Sequence, residues 1–221
     1  MKWKLYVVIV FLMIWTAAFY GIAKRQTYTD VSKNPSYLDN IAVAQLPERI
    51  ALAQYEDIVS TLPQAPIILK VSAVGPIEHL FRISQQRVRI EEIYRGDENM
   101  KVGEEIYLIT ERWELILYGD IHSIERGFVN ILKEGEEYLV FISEKVKTLK
   151  ESPISIYRLV EGSVITPVFS YSEHENIILE VDDRSTYVPY KEVKENEFFA
   201  VTEETMEMML GLKEKMMKLY P

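Results

Sequence analysis

Residues 5–23, LYVVIVFLMIWTAAFYGIA, contain no charged side chain and are bracketed by Lys2 and Lys4 on one side and Lys24 and Arg25 on the other. A run this long and apolar has few structural outcomes. As a helix rising about 1.5 Å per residue it spans roughly 28 Å, the thickness of a hydrocarbon core. Backbone polar groups find no water there, so a helix that satisfies them internally is the form such a span takes. Trp3 and Tyr20 sit near its ends, where amphipathic aromatics favour the interface. A buried core helix fits less well than a membrane span, given the length of the run and the basic residues ahead of it. A cleaved signal peptide is the closer rival, with Gly21-Ile22-Ala23 or Thr16-Ala17-Ala18 as small-residue cleavage sites. The run exceeds the usual 7–15 residue apolar region of such peptides, so an uncleaved anchor is expected. The flanking positive charges nearly balance. The short basic stub ahead of the span suggests a signal anchor that leaves the bulk of the chain outside the cytoplasm, single-pass in the cell membrane.

Charge divides the chain sharply. Its 221 residues carry 25 basic and 34 acidic side chains, a formal net charge of −9. The first 25 residues contain four bases and no acid, so the remainder carries −13. That acidity argues against a nucleic-acid partner, which needs a basic footprint. Arg82, Arg87, Arg89, Arg95 and Arg112 are the only local basic concentration. An acidic body held at an anionic membrane stands off it unless cations screen it or its basic residues face the lipid. The absence of cysteine excludes disulfides, thiolate metal sites, a cysteine nucleophile and a lipidated N-terminal cysteine.

Three regions follow: an anchor at 1–25, a polar juxtamembrane linker at 26–45, and a folded domain at 46–221. Leu52, Tyr55, Val59 and Leu62 recur at helical spacing and end at Pro63, which predicts a helix opening at Leu46-Pro47. From Pro66 the period becomes that of strands. Strands are predicted at 67–74, closed by Gly75-Pro76, and at 81–94, with a bulge where Glu91-Glu92 breaks the alternation. Others are predicted at 105–111, 128–132, 138–142, 154–160, 164–171, 177–181, 186–190 and 198–201, with irregular chain at 113–126. Residues 138–142 are apolar on both faces and read as a central strand. Thr202 is the expected N-cap of a final helix whose stripe is Met209, Leu212, Met216 and Leu219. A methionine-rich stripe can serve as a binding face; packing on the barrel is the preferred reading. The fold class is therefore mainly β, an antiparallel barrel with additional C-terminal strands and flanking helices.

The segments RIEEIYRGD (89–97), VGEEI (102–106), LKEGEEYLVFI (132–142) and, more weakly, YRLVEG (157–162) carry a family likeness. Residues 66–165 resemble the tissue-inhibitor-of-metalloproteinase and netrin-module type of OB-fold, in its bacterial, membrane-anchored extracytoplasmic form. The resemblance implies an OB-like barrel, with Gly96, Gly103 and Gly135 as turn glycines at positive φ. Animal members inhibit metalloproteinases through a disulfide-tethered N-terminal cysteine; with no cysteine here, that activity is not carried over. Lys70-Val71 also stands where the family often has a small glycine.

Catalytic patterns are sparse. Glu173-His174-Glu175, with Asp182 seven residues on, can supply cation ligands, although residues 172–176 read better as a polar hairpin tip. No metal or cofactor is expected. Asp120, His122 and Ser123 lie too close in sequence to form a triad, and HExxH, P-loop, GxGxxG and GxSxG motifs do not occur. Tyr157, Tyr171, Tyr187 and Tyr190 are the candidate aromatics of a ligand face, since OB-type barrels bind on an exposed sheet face. Ordinary use of tyrosine in half-buried strands accounts for most of the chain's tyrosines. The expected function is a non-enzymatic binding or assembly factor for a protein or cell-envelope ligand, held in the lipid bilayer by residues 5–23. The alternative is a metal- or carboxylate-dependent hydrolase acting on envelope material.

Overall fold

A computed structural model describes residues 2–26, 39, 41–44, 48–80, 83–113, 115–118, 121–124, 131–148, 152–161, 168–179 and 187–221. The chain forms two units, Met1–Pro35 and Ser36–Pro221. In the first, helix α1 (Lys2–Gln26) contains the segment Trp3–Arg25, long and apolar enough to cross a membrane. Its one mid-span hydroxyl, on Thr16, donates to the Leu12 carbonyl at 2.8 Å, which keeps that group satisfied without water.

The second unit is built on a closed five-stranded barrel. Strands β2 (Ile67–Leu80), β3 (Ile83–Arg95), β4 (Glu105–Ile109), β7 (Glu137–Lys145) and β8 (Ile156–Leu159) are ordered β2-β3-β4-β8-β7, and β7 returns to β2. All neighbours run antiparallel except β4 and β8, which pair in parallel from Tyr107↔Ile156 to Ile109↔Arg158. The OB-like, mainly antiparallel barrel expected from the sequence is present, with this one parallel seam. Numbered within the barrel, the order is 1-2-3-5-4-1, which makes the fold OB-like. A short antiparallel hairpin cannot connect parallel neighbours, and the chain between β4 and β8 includes the rest of the barrel wall, β7.

Closure depends on bent strands. Lys70 pairs with Glu92 and Val71 with Ile90, so Glu91 is the extra residue of a bulge, where the broken alternation placed it. Another irregularity sets Val74-Gly75-Pro76 against Arg87, and pairing resumes at Ile77↔Gln86. Gly75-Pro76 therefore does not end the strand: β2 runs on to Leu80. Proline is tolerated because β2 pairs with β7 only as far as Ser72, so Pro76 lies on a free edge.

Alternation sorts the side chains into two cores. Leu69, Val71, Val88, Ile90, Ile106, Leu108, Tyr138, Val140, Ile142, Tyr157 and Leu159 fill the barrel, together with Trp113. Ile68, Leu139, Phe141 and Phe169 point outward and are covered by α2 (Glu48–Thr61) and α4 (Glu203–Leu219). Strand β7 is thus buried on both faces, as its sequence predicts. In α4 the Thr202 hydroxyl caps the Thr205 amide at 3.3 Å, and Met206, Met208, Met209, Leu212 and Met216 form the packed face. Leu219, assigned to that stripe from its spacing, is exposed instead. The methionines fill an irregular helix–barrel interface, a role their unbranched side chains suit.

Smaller elements complete the unit. Strands β1 (Ala42–Ala44), β5 (Leu115–Tyr118), β6 (Ile121–Ile124) and β11 (Tyr187–Pro189) form a sheet ordered β11-β1-β6-β5. β1 lies within the stretch read as linker, and β5 and β6 within the stretch read as irregular. Such short strands show too few alternations to register in sequence. β9 (Val168–Ser170) extends the barrel wall beside β7, and β10 (Ile177–Ile178) pairs in parallel with β12 (Phe199–Ala200). A short helix, α3 (Tyr190–Val193), follows β11. Ile131 and Leu132 lie outside any strand, and residues 128–130 of the strand predicted there lie outside the described residues. Gly103 and Gly135 both have φ of +84°. Gly96 does not share that conformation. It is required for space, since a Cβ there would meet Ile93 Cγ2 at 2.8 Å.

Candidate binding face

α2 and α4 pack on the β2–β7–β9 side of the barrel, and among the described residues no element covers the outer face of β3 and β4. Alternation delivers Gln85, Arg87 and Arg89 from β3 and Glu105 and Tyr107 from β4 to this face, none of them fully buried. Cross-strand pairs Arg87↔Tyr107 and Arg89↔Glu105 set the spacing. Glu105 is bridged by both arginines, at 3.4 Å to Arg87 and 3.1 Å to Arg89. Tyr107 donates to Glu78 at 3.1 Å, and Gln85 donates to the other oxygen of the same carboxylate at 2.8 Å. Burial and the neighbouring Glu78 carboxylate push the Tyr107 phenol above its usual range. The face is a ladder of paired charges and hydrogen-bonding groups around one aromatic ring. The arginines are matched by carboxylate, so the pattern suits a polar, mixed-charge surface better than a polyanion. Arg95 is also occupied, donating to the Pro63 and Ala65 carbonyls. The side chains of Arg82 and Arg112 lie outside the described residues.

On the opposite side, a polar network forms beneath α4. His174 Nε2 lies 3.0 Å from Glu136 Oε2 and 3.0 Å from Ser170 Oγ. Ser170 Oγ also accepts the Ser172 amide at 3.0 Å, and Tyr138 donates to Glu136 at 3.1 Å. The Glu197 carboxylate is buried. It accepts the Ser170 amide at 2.7 Å through Oε1 and pairs with Lys213 of α4 at 2.5 Å through Oε2. Burial holds Glu197 above the usual carboxylate range, opposed by Lys213 and the Ser170 amide. Glu195 is held below that range by its bond to Lys133.

Serine, histidine and glutamate thus meet in space, yet the geometry is not that of a hydrolase triad. Nucleophile and acid must sit on opposite ring nitrogens, and here both approach Nε2. Glu136, which as a carboxylate only accepts, holds a proton on Nε2, so that nitrogen donates and cannot take the Ser170 proton. Ser170 is also only 1% exposed. The arrangement ties β9, the 171–176 loop, the turn before β7 and α4 into one structure.

Of the four residues named as cation ligands, three lie among the described residues. His174 turns inward, Glu173 and Glu175 are exposed, and Asp182 lies outside the described residues. No group of three or more histidine, aspartate or glutamate side chains able to hold a metal ion occurs among the described residues. His122 is in β6, and Asp120 lies outside the described residues.

The tyrosines are dispersed as well. Tyr157 is inside the barrel, and Tyr190 is buried in a third cluster with Ile41, Val43 and Phe199. Tyr187 is in β11, its side chain outside the described residues. Tyr171 belongs to a group of tyrosines at the end of α4. Its hydroxyl donates to the Tyr220 carbonyl at 2.9 Å and lies 3.1 Å from the Tyr94 hydroxyl, which bonds the Pro221 carbonyl. Lys70 stands over the Tyr171 ring at 4.4 Å and pairs with Glu137 at 2.9 Å, which raises the Lys70 ammonium above its ordinary range. This group fastens the end of α4 to the barrel. The ring that does face outward, Tyr107, was not singled out from sequence; its alternation with Arg87 and Arg89 across the strand pair is the signal that identifies it.

The chain matches no protein-family model and no curated protein sequence.

Proposed function

We propose that this chain is a membrane-anchored, extracytoplasmic, netrin-module-like binding or assembly factor. It holds a barrel near the bilayer and presents the β3–β4 face to a protein or cell-envelope ligand. The observation that carries the reading is the asymmetry of cover: α2 and the methionine-rich α4 seal one side of the barrel, and among the described residues nothing covers the polar ladder on the opposite side. In OB-type barrels the outer face of the second and third strands, here β3 and β4, is the ligand face. The sequence resemblance to the extracytoplasmic form of the netrin-type module supports the placement outside the cytoplasm. A non-enzymatic role is favoured because the Ser–His–Glu meeting found among the described residues has its donors and acceptors in a structural arrangement.

A photo-crosslinking amino acid placed at Tyr107 in cells, compared with one at the exposed Leu210 of α4, tests the face. Discrete adducts from position 107 and background from 210 are expected. Equal labelling from both positions overturns the assignment. Protease digestion of intact against lysed cells tests the placement, and protection in intact cells refutes it.

A further inference from the structure

We propose that the tip of the β2–β3 hairpin is a second membrane contact, seating Leu80 and Ile83 in the interfacial layer of the bilayer that α1 crosses. The inference rests on the membrane-span reading of α1. Leu80 and Ile83 are a cross-strand pair, so their side chains share one side of the hairpin, and they are 54% and 48% exposed. The residues joining them are Phe81 and Arg82, giving the sequence LFRI. On the other side of the hairpin the His79 ring bonds the buried Ser84 hydroxyl at 2.7 Å, which stiffens the end of the arm.

Three observations select a lipid surface as the occupant. The hairpin continues past the last β3–β4 pair, Gln85↔Ile109, so its tip projects beyond the barrel wall. Residues 77–90 contain Arg82, Arg87 and Arg89 against a single acid, Glu78, within a body of net −13. With Arg87 and Arg89 set against Glu105 and Glu78 on the same face, the fixed charge left over in the hairpin by sequence is Arg82. A tip that is apolar and cationic is the part of an acidic body that an anionic bilayer accepts. The tether also reaches. The 14 residues between Gln26 and Ile41 extend to at most about 50 Å, comparable with the roughly 45 Å of a fourteen-residue strand. With the chain already anchored, the second contact is intramolecular and needs little affinity of its own.

The chain contains no cysteine, so a single introduced thiol carries a unique label. The full-length variants Leu80→Cys and Val102→Cys, labelled with an environment-sensitive fluorophore, are placed in phosphatidylcholine–phosphatidylglycerol nanodiscs. Val102 is 62% exposed on the β3–β4 loop and serves as the solvent reference. Near-UV circular dichroism matching the parent chain confirms that each variant is folded. The expected result is a blue-shifted emission at position 80, with quenching by spin-labelled lipid several-fold stronger than at 102. Equal quenching at both positions overturns the tip contact while leaving the anchor intact. A blue shift at 80 without lipid quenching also overturns it, assigning the tip to a protein surface. Failure of the chain to co-elute with nanodiscs overturns the anchor and the tip contact together.

Discussion

Gln86 gives the most direct test of how the barrel is held closed. It points inward from β3 and has no exposed surface. Its Nε2 donates to the Leu132 carbonyl at 2.6 Å and the Gly75 carbonyl at 3.1 Å, and its Oε1 accepts the Leu132 amide at 3.0 Å. One side chain thus satisfies three backbone groups, one in the β2 bulge and two in the segment leading to β7. Gln86→Leu keeps most of the volume and removes all three bonds. Each buried group left unpaired costs about 1–3 kcal/mol. Gly75 and Leu132 are buried, yet they lie on irregular chain that can shift toward water, so a total of about 3 kcal/mol is expected. In urea, with a slope near 2 kcal/mol/M, the midpoint falls by roughly 1.5 M at unchanged slope. The measurement is urea unfolding of the full chain in mild detergent, followed by near-UV circular dichroism. Gln85→Leu is the control: the neighbouring side chain bonds Glu78 on the open face, and its loss costs under about 1 kcal/mol. A midpoint shift for Gln86→Leu no larger than that of Gln85→Leu refutes the argument. It would mean that the bulge and the β7 approach are held by the strands alone.

Other outcomes follow from the same structure. Lys213→Met leaves the buried Glu197 carboxylate without its cation and costs about 3–5 kcal/mol at neutral pH. Glu197 already has a raised folded-state pKa from burial, so its contribution is favourable below the unfolded value and is lost as pH rises through the folded one. The variant's penalty therefore shrinks as pH falls through the carboxylate range, and Glu197→Gln with Lys213→Met recovers much of the loss in thermal unfolding. Phe141→Ala removes a fully buried ring packed edge-on against Phe169 and Tyr220, at about 3–5 kcal/mol by urea unfolding. Burial lowers the His79 pKa, and its Nε2 has no partner among the described residues. The stability this confers is present above the unfolded value and lost as pH falls. Amide exchange in residues 77–86, corrected for intrinsic rates, is thus faster at acid pH than at neutral pH, and His79→Leu abolishes the difference.

Sequence alone determined the features whose physics is local. The uncharged run at 5–23 can satisfy its backbone in lipid only as a helix, and α1 is one. The doubled Glu91-Glu92 interrupts a two-residue period, and the extra residue is at that point. Residues 138–142 lack a polar face, and β7 is covered on both sides. Thr202 ahead of Glu203-Glu204 predicts a capped helix start, and the cap is present. Tertiary structure alone decided what depends on which distant strands meet. Gly75-Pro76 carries the signal of a strand end, yet a strand continues wherever a partner such as β3 goes on pairing. The parallel β4–β8 seam joins residues about fifty apart, and no periodicity encodes strand direction. Tyr157, Tyr171, Tyr187 and Tyr190 are equivalent by composition, and barrel closure sends them to different places. The same closure leaves Tyr107 outward between Arg87 and Glu105, and it brings Ser170, His174 and Glu136 together with both partners on one ring nitrogen. Local sequence sets which face of a strand is apolar. The path of the whole chain sets which of those faces the helices cover.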